Sequence, residues 1–201
     1  MRKLKDYIRG FNNLFNYYLR EKPLGLDFSI RDLSLTKDSQ HNGYAMTSYK
    51  ALSNIAKVVN FNGKRIIDIG SGKGNVLFQS IKLGAKKAEG VEFYEKFHSI
   101  AKKNFEILKV TGKCKSNQCD ATKFKRYNEF DIFFLFNPFQ DHLYEKVIDM
   151  VVKQCGFKTN ERIIICYGRA NLKSIRKYKQ IKKVYEGLCP HRGNSLNIFS
   201  F

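Results

Sequence analysis

Asp68 lies near the end of an apolar, β-branched run, Arg65–Ile69, and Gly70-Ser71-Gly72-Lys73-Gly74 follows directly. Glu92 closes a second run, Lys87–Glu92. Asp120 follows a third, Lys113–Cys119, and Asn137-Pro138-Phe139 follows a fourth, Asp131–Phe136. Acids at three successive run ends and an amide at the next form a pattern suited to adenosine. A carboxylate at Glu92 can accept both ribose hydroxyls. One at Asp120 can accept an adenine amino group, while the N–H of Ala121 meets a ring nitrogen. Glycines at alternate positions let the backbone pass close to the nucleoside.

The loop also excludes chemistry. Its spacing is G-x-G-x-G, whereas dinucleotide binders use G-x-G-x-x-G, and Asn75 stands where the last glycine would be. That disfavours an NAD(P)-dependent oxidoreductase. No G-K-[ST] follows, so the phosphate loop of triphosphatases is absent. Asp68 before the loop would repel pyrophosphate and suits a ligand with cationic groups. S-adenosylmethionine carries an ammonium and a sulfonium.

These groups need a scaffold that brings strand ends together. The run at 65–69, the glycine loop and a helix over about Lys73–Leu83 read as strand, turn and helix. Strands at Lys87–Glu92, Lys113–Cys119, Asp131–Phe136 and Arg162–Tyr167 alternate with helices over Tyr94–Leu108, Asp141–Gln154 and Leu172–Tyr178. The runs at 131–136 and 162–167 are almost wholly apolar, as in strands buried on both faces. Lys182–Glu186 and Leu196–Phe201 read as a closing antiparallel hairpin. The alternation predicts an α/β fold: a doubly wound, mostly parallel seven-stranded sheet with that hairpin at its far edge. Ligands of such sheets bind beyond the carboxyl ends of the strands.

Ahead of the sheet, Thr47 or Ser48 can cap a helix over Tyr49–Val59. Apolar residues from Leu4 to Leu19 recur at helical spacing, with Arg2, Lys3, Lys5 and Arg9 on the other face, and Pro23 ends the stretch. Residues 1–45 are therefore expected as an N-terminal helical extension and 46–201 as the sheet domain. The extension reads as a lid, a substrate-docking helix or a membrane-surface helix.

The run Asp68–Gly74 matches motif I of class I S-adenosylmethionine-dependent methyltransferases, and the chain resembles that family over about residues 44–170. Asn137-Pro138-Phe139 resembles the Asn/Asp-Pro-Pro-aromatic motif IV of amino-group methyltransferases, without its second proline. The closest likeness is to small bacterial members with D-x-G-S-G-K-G and N-P-F motifs. The resemblance implies a Rossmann-like methyltransferase fold and S-adenosyl-L-methionine as cofactor. It implies cofactor contacts from Tyr44, Thr47, Asp68, Gly70, Ser71, Gly72, Gly74, Glu92, Asp120, Ala121 and Asn137. It assigns the active site to Asn137, Pro138 and Phe139, where an amide and a carbonyl could aim an acceptor amine. A hydroxyl acceptor would need a general base, for which His142, Tyr167 and His41 are the candidates. The expected activity is methyl transfer to an amino group of nucleic acid or protein. The alternatives are a hydroxyl of a small molecule or glycan, and a non-catalytic nucleic-acid-binding module on the same fold.

Composition bounds the partners. The chain of 201 residues carries 37 basic and 18 acidic residues, net charge +19, which favours an anionic partner or reflects a basic solvated surface. With 17 Phe, 11 Tyr and no Trp, the core is expected to be rich in phenyl rings. The five cysteines form no C-x-x-C pair and suit free thiols in a reducing cytoplasm. Cys189-Pro190-His191 lacks a second ligand pair, so no metal is expected. No signal peptide or transmembrane run is apparent, and a cytoplasmic location is expected.

Overall fold

The computed structural model describes residue 15 and residues 17–29, 44–157, 161–189 and 194–201. Seven strands form one sheet: β1 (Arg65–Ile69), β2 (Lys87–Glu92), β3 (Cys114–Gln118), β4 (Ile132–Phe136), β5 (Ile163–Tyr167), β6 (Lys182–Leu188) and β7 (Ser195–Ser200). Their order is β3-β2-β1-β4-β5-β7-β6. The first five are mutually parallel. β7 lies antiparallel between β5 and β6. The fold is the expected α/β sheet, mostly parallel with an antiparallel C-terminal hairpin.

Among the described residues these α-helices accompany it: α1 (Tyr49–Ile55), α2 (Asn75–Lys82), α3 (Glu95–Ile107), α4 (Asp141–Cys155) and α5 (Leu172–Arg176). Side chains alternate across each strand. Ile66, Phe134 and Ile165 pack with α1 and α2 on one face. Ile67, Ile69, Phe133 and Ile164 pack with α4 and α5 on the other. With both faces covered, the central strands can be apolar throughout. Strand order reverses between β1 and β4, so the crevice opens at their C-terminal ends.

Helix ends follow local chemistry. Ser48 caps α1, its Oγ accepting the Ala51 N–H at 3.2 Å. The helix stops at Ile55 rather than near Val59, and the β-branched pair Val58-Val59 continues as turns. α2 begins at Asn75, two residues beyond the expected Lys73. Gly72 and Gly74 hold φ of +52° and +82°, which no right-handed helix includes.

The helix expected over Leu4–Leu19 falls mostly outside the described residues, as do His41, Pro190 and His191. A single π-turn spans Tyr17–Glu21, and a 3-10 turn spans Lys22–Leu24 with Pro23 near its start. Residues 26–29 then run as a strap beside α3. Buried Glu21 accepts the N–H groups of Phe28 and Ser29 at 2.8 Å each. Asn104 on α3 accepts the Asp27 N–H at 3.0 Å and donates to the Asp27 carbonyl at 3.1 Å. Leu26 and Phe28 pack against Tyr44, Met46 and Phe97. All five cysteines are free, and among the described residues no helix is long and apolar enough to cross a membrane.

Candidate active site

The glycine loop is bent over the end of β2. The N–H groups of Gly70 and Ser71 both donate to the Val91 carbonyl, at 2.9 and 3.1 Å. Ser71 then lies on Gly90, where a Cβ would overlap its Oγ. An isolated glycine inside a strand marks such a close approach, and that signal was present at Gly90. The Gly72 N–H donates to Glu92 Oε2 at 2.7 Å, and the Tyr94 N–H donates to Oε1 at 2.9 Å. Two backbone donors thus hold the Glu92 carboxylate in one orientation.

Asp120 is held in the same way. Its Oδ1 accepts the Thr122 N–H at 2.8 Å and the Thr122 hydroxyl at 2.7 Å. Neither bond uses Oδ2. Asn137 ends β4 with φ +44°, in the left-handed region that costs a side-chain-bearing residue energy but that Asn tolerates best. Its amide rests on Gly168, where a Cβ would stand 2.7 Å from Oδ1 and 2.9 Å from Nδ2. Pro138 rests on Gly70 across the switch point, 2.6 Å from where a Cβ would lie.

A cleft of about 860 Å³, open to solvent, joins these groups. Its wall contains Tyr44, Thr47, Asp68, Gly70, Ser71, Gly72, Glu92, Asp120, Ala121, Asn137, Pro138 and Phe139. Gly74 stands outside the wall and has a packing role: a Cβ there would overlap Phe105 and stand 3.2 Å from Ala101 Cβ. His142 is exposed in the first turn of α4, and Tyr167 is buried with its ring 4.8 Å from Phe136. Neither lines the cleft.

The electrostatics of the cleft oppose those of the whole chain. Asp68, Glu92 and Asp120 contribute to the wall, and among the described lining residues there is no Lys, Arg or His. Asp68 is 3% exposed, and burial, with the charge of Glu92 adding to it, holds its carboxyl well above the usual carboxylate range. Such a group gains most from a cation placed beside it.

Two buried polar atoms in the wall, Ser71 Oγ and Asn75 Oδ1, have no hydrogen-bond partner among the described residues. The amide of Asn75 is oriented by its other end, since Nδ2 donates to the Thr47 carbonyl at 2.6 Å. Its acceptor oxygen is left buried and unpartnered within a residue of the cleft wall. Phe93, 47% exposed, adds an apolar surface next to Glu92. Neither Asn75 nor Phe93 stood out as a site residue in the sequence. The aromatic following the acid of β2 was the available signal for Phe93.

Lys73 is the glycine-loop residue whose environment its sequence position least suggests. It lies outside the wall, 2% exposed, with Nζ 2.6 Å from Asp27 Oδ1 and 5.0 Å from the centre of the Tyr44 ring. It ties the strap to the loop. Tyr44 is fixed at its other end, its hydroxyl donating to the Phe28 carbonyl at 2.6 Å. No group of residues suited to holding a metal ion occurs among the described residues.

A model of the family described as Conserved hypothetical protein 95 matches residues 47–189. No curated protein matches the chain. Solved structures share its fold. An RNA methyltransferase from Salinibacter ruber in complex with S-adenosyl-L-homocysteine has a TM-score of 0.63 at 13% identity, over 77% of this chain and 92% of that one. The protein yhhF from Escherichia coli has a TM-score of 0.61 at 17% identity, over 77% and 86%. Magnesium protoporphyrin IX methyltransferase from Synechocystis, with bound S-adenosylmethionine, has a TM-score of 0.55 at 15% identity, over 75% and 74%. At these identities the likeness is one of fold, which many functions share.

Proposed function

The chain belongs to the Conserved hypothetical protein 95 family, and from that premise we propose that it is an S-adenosylmethionine-dependent methyltransferase. The observation that carries the reading is the cleft wall: three carboxylates and, among the described residues, no basic side chain, around a G-x-G-x-G loop. A phosphate-bearing dinucleotide would meet repulsion there. A ligand with an ammonium, a sulfonium and hydroxyl and amino donors meets acceptors.

The residues present fit that ligand. Glu92, oriented by the Gly72 and Tyr94 N–H groups, would accept the ribose hydroxyls. Asp120 Oδ2 would accept the adenine amino group, beside the Ala121 N–H. Phe93 would cover one face of the base. Asp68 and the unpartnered Asn75 Oδ1 would receive the cationic amino-acid end. Tyr44 and Thr47 close the wall from the N-terminal side. Bound there, S-adenosylmethionine supplies a methyl group already activated by the sulfonium charge.

The protein's remaining task is alignment and the exclusion of water. Asn137, held left-handed on Gly168, would accept an acceptor N–H at Oδ1, and the Pro138 carbonyl a second. Phe139 would offer its ring to a planar acceptor. An amino group of nucleic acid or protein suits this arrangement. Of the candidate bases for a hydroxyl acceptor, His142 and Tyr167 stand outside the wall and His41 lies outside the described residues. Gly168→Ala is expected to displace the Asn137 amide and to lower kcat about 10- to 100-fold. Affinity for S-adenosylmethionine should fall less than kcat, because of its implied contacts Gly168 touches Asn137 alone.

Calorimetric titration with S-adenosylmethionine and with NADH tests the cofactor. Transfer of labelled methyl to total RNA, protein and glycan fractions then reads the acceptor. Binding of the first ligand and label in RNA or protein are expected. Binding of NADH alone would overturn the reading, and label in glycan alone would overturn the acceptor class.

A further inference from the structure

We propose that the sheet edge opposite the cleft is a docking surface for the phosphate backbone of double-helical nucleic acid. β1, β2 and β3 are parallel, so their N-terminal ends lie together, about 17 Å of strand away from the cleft. The backbone joins lysines there. The Lys86 N–H donates to the Lys64 carbonyl, and the Ala88 N–H to the Lys113 carbonyl, each at 2.9 Å. Lys87 stands in register with Arg65. Lys64, Lys86, Lys87 and Lys113 therefore occupy three adjacent strand starts, with neighbouring strands roughly 4.8 Å apart. Lys82, in the last turn of α2, extends the row.

Lys82, Lys86, Lys87 and Lys113 are exposed and Lys64 is half-buried. None of the five forms an ion pair with a described acid. The acids at this edge are engaged elsewhere. Glu129 pairs with Arg65 at 2.7 Å and Arg126 at 3.2 Å, buried Glu89 pairs with Arg126 at 2.8 Å, and Asp131 accepts the Arg65 N–H at 2.7 Å. Exposed Glu106, near the end of α3, is offset by exposed Lys109 just beyond it.

A helix dipole accounts for Lys82 at the end of α2 but not for lysines at strand starts. A membrane surface is the other large polyanion, and docking there draws on an apolar face as well as charge. Between residues 56 and 115 the large apolar side chains exposed among those described are Val58, a single side chain in the turn before β1, and Phe93, which belongs to the cleft. Charge without an apolar anchor matches a nucleic-acid backbone. This inference stands on the placement of charge and is independent of the methyl-transfer reading.

The test is fluorescence anisotropy with a labelled RNA duplex of about 16 base pairs, titrated between about 50 and 200 mM salt. The rim variant combines Lys64→Gln, Lys86→Gln, Lys87→Gln and Lys113→Gln. A control variant combines Lys146→Gln, Lys153→Gln, Lys173→Gln and Lys179→Gln, four exposed lysines on and beyond α4. The rim variant is expected to bind at least about tenfold more weakly, with a salt slope shallower by about 3–4, and the control to lose less than about threefold. The pair Lys86→Glu and Lys87→Glu should reproduce most of the rim loss, and circular dichroism should show both variants folded. Equal losses in rim and control would overturn the proposal in favour of diffuse charge. So would an unchanged slope in the rim variant, or a wild-type protein that does not bind the duplex. S-adenosylmethionine binding by the rim variant should match wild type, so this result and the cofactor assignment fail separately.

Discussion

Asp68→Asn is expected to raise the melting temperature of the ligand-free protein by several degrees at pH 7 and to weaken S-adenosylmethionine binding about 10- to 100-fold. Both effects have one cause. Burial and the neighbouring charge of Glu92 lift the Asp68 carboxyl well above its ordinary range. The folded protein then binds this proton more tightly than the unfolded chain does. The window opens near the ordinary aspartate value of about 3.9 and extends upward to the raised folded value. Across it, stability falls as pH rises, because folding must bury a charge or hold a proton that solution would release. Asparagine carries neither charge nor proton, so the variant escapes the penalty at neutral pH and loses its advantage near pH 4. A cationic ligand reverses the balance by pairing with the ionised carboxylate. Wild-type affinity should therefore increase with pH through the titration of Asp68, with proton release on binding, and the variant should show neither. Melting curves from pH 4 to 8, and calorimetry in buffers of different ionisation heat, read all of this. A variant that melts lower at pH 7, or that binds as tightly as wild type, would exclude Asp68 as the cation's partner.

This trade-off explains why the acidic run ends could be read from the sequence while their support could not. Strands declare themselves by apolar, β-branched runs, and an acid at the end of such a run is conspicuous because it breaks the pattern. Parallel connection then forces the ends together, and Asp68, Glu92, Asp120 and Asn137 do converge on one cleft. The supporting contacts carry no such local mark. Lys73 within the glycine loop is committed to Asp27, 46 positions away, a partner that nothing beside it in the sequence announces. Gly168 is legible only as a turn residue until Asn137 is found resting on it. Asn75 reads as the residue that breaks a dinucleotide motif. Its amide becomes informative once Thr47 has taken one end and left the other buried without a partner. The start of α2 differs for a related reason: it begins after Gly74 because the loop needs left-handed glycines, a tertiary demand that outweighs local helix propensity.

Gly72→Ala is expected to weaken S-adenosylmethionine binding by about 100-fold or more and to lower the melting temperature. The methyl group is small, but three constraints meet on it. The position has φ +52°, which alanine adopts only with strain. The added Cβ would overlap Tyr44 Cδ2 and stand 2.6 Å from Cε2. The ring has nowhere to retreat, because its hydroxyl holds the Phe28 carbonyl, Lys73 lies over its face and Phe97 packs beside it with centroids 5.5 Å apart. The loop must move instead, and with it the Gly72 N–H that orients Glu92. This account predicts a specific rescue. Tyr44→Ala alone should weaken binding modestly by opening the wall, yet in the Gly72→Ala background it should restore part of the lost affinity. The coupling in the double-mutant cycle should exceed about 1 kcal/mol, as for residues in direct contact. Additive losses would mean that backbone strain at Gly72, rather than the Tyr44 ring, limits the loop. Tyr44 would then be one more wall residue instead of the part that presses the glycine loop into shape.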